Sequence, residues 1–145
     1  MRTGSISACS RRGKIYVAPN DGAVAIDPVF VTGLDVGQLA RSLERAVAAI
    51  PPRPTTRLSL QDYKSPIQLA AGVTRPAEFE RGLKIVTIDI DESGFSLQPW
   101  IPYPRQRRGF THDDSSRVAL PPHTPLKSVA EHVMKVFLDP NWPVR

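Results

Sequence analysis

Residues 83–91, Leu-Lys-Ile-Val-Thr-Ile-Asp-Ile-Asp, constrain this chain more than any other stretch. Lys84, Val86, Ile88 and Ile90 share one face, and Ile85, Thr87, Asp89 and Asp91 share the other. Two-residue periodicity in β-branched residues predicts a strand with one face on a core. Glu92-Ser93-Gly94 supplies a turn, after which Phe95, Leu97 and Pro99 continue on a partner strand. Such a hairpin needs a covering layer, and the sequence offers two amphipathic helices. Val36, Leu39, Leu43, Val47 and Ile50 form one apolar stripe. Asp35 is its N-cap, Gln38 completes a capping-box pattern, and Pro51-Pro52 ends it. Leu126, Val129, Val133, Val136 and Phe137 form the second stripe. Thr124 caps it with Pro125 in the first turn, and Asp139-Pro140 stops it.

The remaining elements are shorter. Lys14-Ile15-Tyr16-Val17 alternates, Asn20-Asp21-Gly22 is a strong turn signal, and Val24 and Ile26 share a face. This reads as a hairpin of 14–18 with 23–29. Residues 51–63 form a proline-containing connection with one short edge strand at 57–60. Ser65-Pro66 starts a short helix stopped by Gly72, residues 76–81 make another turn or two, and Val118 and Leu120 mark a further strand. The order repeats approximately, with Lys14-Ile15 opening one hairpin and Lys84-Ile85 the other. The expected fold is α+β, a two-layer, mostly antiparallel sheet with helices packed on it, built from two ββα-like units. Residues 1–13 read as a disordered tail dispensable for folding, and 14–145 as a single domain. A chain of 145 residues suits one domain.

Charge and cysteine usage narrow the function classes. The net charge is +5, and it is uneven. Residues 1–75 hold ten Lys/Arg against five Asp/Glu, whereas 76–145 hold nine of each. A basic chain attracts polyanions, which keeps nucleic acid in view. There is no lysine-rich run, however, and solvated surface charge is the plainer reading. The one cysteine, Cys9, forms no internal disulfide, and a reducing, cytoplasmic compartment is expected. Ile6-Ser7-Ala8-Cys9 superficially matches a lipoprotein cleavage site, but too few residues precede it for a signal peptide. No apolar run reaches the roughly 20 residues of a membrane-spanning helix, so no membrane partner is expected.

Few groups suggest catalysis. Asp89, Asp91 and Glu92 offer carboxylates for Mg²⁺, but an exposed strand face looks the same and no third ligand group is identifiable. His112-Asp113-Asp114 lacks partner ligands at metal spacing. Neither a nucleophile elbow nor a glycine-rich phosphate loop occurs. The reading is therefore a non-enzyme without metal or cofactor.

One segment stands out. Residues 100–110 place Trp100, Tyr103, Arg105, Arg107 and Arg108 in a proline-held stretch, followed by His112, Asp113 and Asp114. Trp, Tyr and Arg dominate binding hot spots because they offer large areas or bidentate donors. These eight residues are the expected partner-binding set, with Asp113 and Asp114 either bracing the arginines or reaching basic groups of the partner. A competing surface is the acidic stretch 76–92, where Glu78, Glu80, Asp89, Asp91 and Glu92 outweigh Arg81 and Lys84.

The segment 70–138 carries a Gly-Val after a short helix, Pro-Ala-Glu-Phe-Glu-Arg-Gly, a long strand, and a second strand ending in Pro-Trp. Gly109-Phe110 in a charged loop, Val118-Ala119-Leu120-Pro121 and a last helix follow. In this order the chain resembles the immunity proteins of bacterial contact-dependent growth inhibition systems. The resemblance spans 14–138. Where that family often has Lys-Ser-Trp, this chain has Val73-Thr74-Arg75-Pro76. It implies a cytoplasmic, noncatalytic protein that binds and neutralises the cognate C-terminal toxin domain of a surface effector, commonly a nuclease. The alternative is a small basic nucleic-acid-binding protein.

Overall fold

The alternating strand predicted at 83–91 lies in the middle of an antiparallel sheet. In the computed structural model, which describes residues 2–53, 63–104 and 107–145, it spans Lys84–Asp91 and is the fifth strand, β5. On one side it pairs with β6 (Gly94–Pro102), from Asp91↔Gly94 to Ile85↔Trp100. On the other it pairs with β1 (Gly4–Arg11), from Gly4↔Ile90 to Ser10↔Lys84. β1 pairs in turn with β2 (Lys14–Asp21). Two short strands flank β2, namely β3 (Val24–Ala25) and β4 (Phe30–Gly33). Two more flank β6, namely β7 (Phe110–His112) and β8 (Val118–Leu120). The path is β3-β2-β1-β5-β6-β7, with β4 on β2 and β8 on β6. The helices are α1 (Val36–Ala48), α2 (Pro66–Ala70), α3 (Pro76–Phe79) and α4 (Leu126–Phe137). The fold is the expected α+β arrangement.

β1 overturns the expectation of a disordered tail at 1–13. Its sequence, Gly-Ser-Ile-Ser-Ala-Cys-Ser-Arg, shows only a faint apolar face because strands flank it on both sides. A central strand gains its burial from neighbours, so small and polar residues suffice. Ile6 and Ala8 enter the helix-side core. On the opposite face the Ser7 hydroxyl donates to Asn20 Oδ1 (2.8 Å), and Asn20 Nδ2 donates to Ser5 Oγ (2.6 Å). Even Arg2 is engaged. Its Nη1 reaches the Ala48 and Ile50 carbonyls at 2.7 and 2.8 Å, at the C-terminal end of α1.

The registers reveal the internal repeat and correct its alignment. Arg11↔Lys14 closes the first hairpin and Asp91↔Gly94 the second, so β1 corresponds to β5 and β2 to β6. Lys14 therefore matches Gly94, and Pro19 matches Pro99; the reading that aligned Lys14 with Lys84 was displaced by one strand. β4 pairs with β2 through Ile15↔Thr32 as β8 pairs with β6 through Phe95↔Leu120. Leu39, Leu43 and Val47 of α1 take the places that Val129, Val133 and Phe137 take in α4. Each unit is thus four strands and a helix. The two meet antiparallel across β1 and β5, and the pair Ser7↔Thr87 marks the pseudo-twofold axis.

Both long helices lie on one face of the sheet. Their stripes close over Ile15, Val17, Val86, Ile88, Phe95 and Leu97. α2 serves the other face, where Ile67 joins Cys9, Tyr16, Ala18 and Leu83 in a second, smaller core. The C-terminal turn of α4 is capped by Lys84, whose Nζ donates to the carbonyls of Val136 (3.3 Å), Phe137 (3.0 Å) and Asp139 (2.7 Å). A cation there opposes the helix dipole and satisfies orphan carbonyls.

Local chemistry accounts for the smaller departures. Asp35 caps α1 by accepting from Gln38 N at 2.8 Å, but Gln38 Oε1 takes Gly33 N (3.1 Å) and the Thr32 hydroxyl instead of closing the capping box. Ser65 caps α2 as expected. Thr124 does not cap α4; its hydroxyl donates to the Pro121 carbonyl at 2.7 Å, and Pro125 holds the cap position. The first tight hairpin narrows to Asn20–Asp21 against Val24–Ala25, and the longer outer partner of β2 is β4. Gly94 has φ +120°, and a Cβ there would lie 2.1 Å from the Leu120 carbonyl oxygen, so only glycine lets β8 approach the turn. The edge strand expected at 57–60 lies outside the described residues.

Deleting residues 1–12 removes the strand that joins the two units. The truncated chain is expected to lose cooperative urea unfolding, followed by circular dichroism. A truncated chain with an unchanged transition would contradict the placement of β1.

Candidate partner-binding surface

The two units differ most where the second strand turns into the third. In the first unit residues 22–23 suffice to link β2 to β3. In the second unit the equivalent link, between β6 and β7, runs over residues 103–109. The fold needs only the short version, so the extra length is free to carry function.

Several contacts hold this loop in shape. Tyr103 N donates to the Gly109 carbonyl at 3.1 Å across its base, and Gly109 adopts φ +93°. The Arg107 guanidinium lies 3.9 Å from the Tyr103 ring centroid, a cation–π contact. Arg108 Nη2 lies 3.5 Å from Glu80 Oε2, just after α3. Arg145 ties the loop to the same turn. Its Nη2 donates to the carbonyls of Arg107 and Gly109, its Nη1 lies 4.0 Å from Glu80 Oε2, and its carbonyl accepts from Gly82 N at 3.0 Å. Arg107 and Arg108 remain exposed.

The eight expected binding residues therefore divide. Tyr103, Arg107 and Arg108 form one surface, and Arg105 lies outside the described residues. Trp100 and His112 face each other across β6 and β7, with ring centroids 4.0 Å apart in an edge-on contact. Trp100 is anchored: its Nε1 donates to Thr87 Oγ1 at 3.0 Å, and its carbonyl accepts from Trp142 Nε1 at 3.3 Å. Asp113 and Asp114 belong to a turn at the far end of β7, three residues and roughly 10 Å along the strand from the loop. Asp113 accepts from the hydroxyls of Ser115 (2.7 Å) and Ser116 (2.5 Å), and its backbone closes on Pro99 and Gln98. The hydroxyls of Ser116 and Ser115 hold its carboxyl below the usual aspartate range. The expected bracing of the arginines by Asp113 and Asp114 is therefore corrected. Among the described residues the carboxylate that braces Arg108 is Glu80.

The acidic stretch 76–92 is likewise not one patch. Glu80 sits beside the arginine loop, with Glu78 two residues before it in α3, whereas Asp91 and Glu92 lie at the other end of β5, roughly 20 Å along the extended strand. Asp91 accepts from Ser93 N (2.8 Å) and Ser93 Oγ (2.5 Å), which lowers its pKa and shapes the β5–β6 turn. Among the described residues no three His, Cys, Asp or Glu side chains converge as metal ligands would. Cys9 sits in the second core, where burial pushes its thiol up to about 12 and so disfavours the reactive thiolate. Arg145 went unnoticed in the sequence because no periodicity or motif links it to a loop so far upstream.

No family model matches this chain, and no curated protein matches it. Among solved structures, a protein of unknown function, NMB0488 from Neisseria meningitidis, matches with a TM-score of 0.65 over 94% of each chain at 11% identity. At that identity the likeness concerns the fold alone. No helix among the described residues is long and apolar enough to cross a membrane.

The Asp113 turn gives a pH signature. A carboxyl whose folded pKa is depressed contributes stability above its unfolded pKa of about 3.9 and loses it as pH falls through the folded value. Asp113→Asn is expected to be less stable than the parent at pH 7, with the gap closing below about pH 4. Urea titrations across pH measure this; a gap that persists unchanged at low pH would contradict it.

Proposed function

We propose that this protein is a noncatalytic, cytoplasmic immunity protein that neutralises a cognate toxin domain by covering it, as in contact-dependent growth inhibition systems. The observation that carries the reading is the loop 103–109, expanded in one unit where the other has a minimal turn. The loop presents Arg107 and Arg108 to solvent while cross-bonds to Glu80, Arg145 and Gly109 limit its freedom. A surface held in its bound shape loses less entropy on association. Tyrosine and arginine side chains in that setting supply the area and bidentate donors that concentrate binding energy.

The alternative, binding of nucleic acid, is favoured by the net charge of +5 and would place the same arginines on phosphates. The two readings part in one experiment. Any toxin domain found in a neighbouring reading frame is expressed with the parent protein or with the Arg107→Ala/Arg108→Ala variant. The parent is expected to restore growth. The double variant is expected to stay folded but bind the toxin about 10- to 100-fold more weakly, measured by calorimetry. Full neutralisation by the double variant would move the interface elsewhere. Failure of the parent to protect, together with salt-sensitive oligonucleotide binding lost in the double variant, would favour nucleic acid.

A further inference from the structure

We propose that Glu80 is a built-in competitor for an acidic segment of the partner protein, and that it sets the selectivity of the arginine face. This rests on the partner-binding reading of loop 103–109. Two guanidinium groups, those of Arg108 and Arg145, converge on a single carboxylate oxygen, and Arg107 lies beside Arg108 in the same loop. Glu80 Oε2 is 3.5 Å from Arg108 Nη2 and 4.0 Å from Arg145 Nη1. Both distances exceed the roughly 2.7–2.9 Å of a well-formed charge-assisted bond. Arg107 is held by the Tyr103 ring, and Arg145 Nε is buried without a hydrogen-bond partner. Two positive charges thus share one loosely bonded carboxylate, with Arg107 exposed next to Arg108 and Glu78 exposed in α3 just before Glu80. Arg108 is the exposed arm, its side chain 59% exposed against 16% for Glu80. An incoming carboxylate in bidentate geometry satisfies donors that Glu80 leaves underused.

The aromatic groups favour an acidic protein segment over nucleic acid. Single-stranded nucleic acid is held by free aromatic faces as well as by cations. Here the Tyr103 ring carries Arg107, the Phe110 ring has Arg145 at 6.0 Å, and Trp100 is engaged by His112. Among the described residues, the guanidiniums of Arg108 and Arg145 meet at one carboxylate rather than lining a groove.

The test uses the full chain and two probes, a short oligoglutamate peptide and a single-stranded oligonucleotide of equal charge, with affinity read by fluorescence anisotropy at low salt. Glu80→Gln is expected to bind the peptide roughly five- to ten-fold more tightly than the parent, and Arg108→Ala several-fold more weakly. Lys127→Gln and Glu131→Gln, both on the helix side of the sheet, are expected to match the parent and control for the charge changes of Arg108→Ala and Glu80→Gln respectively. Unchanged urea midpoints confirm that the variants fold; Arg108→Ala, at an exposed site, keeps the test decisive if Glu80→Gln does not. Equal or stronger binding of the oligonucleotide, enhanced alike by Glu80→Gln, would overturn the assignment to an acidic protein segment. Absence of peptide binding by both the parent and Glu80→Gln would overturn the role of Glu80. Toxin neutralisation that fails in Arg107→Ala/Arg108→Ala would still uphold the face itself.

Discussion

The ladder between β1 and β5 is the interaction on which the structure depends. Each strand belongs to a different unit, and each is also the first strand of its own hairpin. The ladder therefore turns two small units into one sheet and one core. Without it, each unit would be a fragment of four strands and a single helix with its apolar stripe half covered. Across the ladder, Ile6 meets Ile88 and Ala8 meets Val86, all under the two helices. The small residues of β1 fit this role. They leave room on the helix side for Leu39, Leu43, Val129 and Val133, which are fully enclosed.

The near-twofold arrangement also identifies what is not scaffold. Equivalent positions in the two units do equivalent work in the core, so differences between them mark departures from the demands of folding. The largest is the expansion of the β6–β7 link, and it lies next to α3 and its following turn, which have no counterpart within either unit. The candidate surface is thus assembled from added segments fastened to a symmetric frame. Arg145 and Glu80 are the fasteners.

Much of the frame was legible in the sequence. The stripes of α1 and α4, the alternation of β5 and the turn at Glu92-Ser93-Gly94 each followed from local periodicity. β1 did not, because a strand buried between two others needs no hydrophobic pattern: Ser5 and Ser7 satisfy one another through Asn20. That single omission displaced the repeat alignment by one strand. In the candidate site, composition singled out Tyr103, Arg107 and Arg108, but not their setting. Asp113 and Asp114 were near them in sequence and are fixed in a different turn, while Glu80 and Arg145 were distant and are their neighbours. Long-range pairing across a sheet leaves no local trace.

Native-state hydrogen exchange tests the central claim most directly. If β1 and β5 form the ladder that unites the two units, their amides on either side of Ser7↔Thr87 exchange only through global unfolding. Their exchange free energies should then equal each other and the free energy from urea unfolding. Fast exchange of the β1 amides by local opening, with β5 and β6 still protected, would contradict the account.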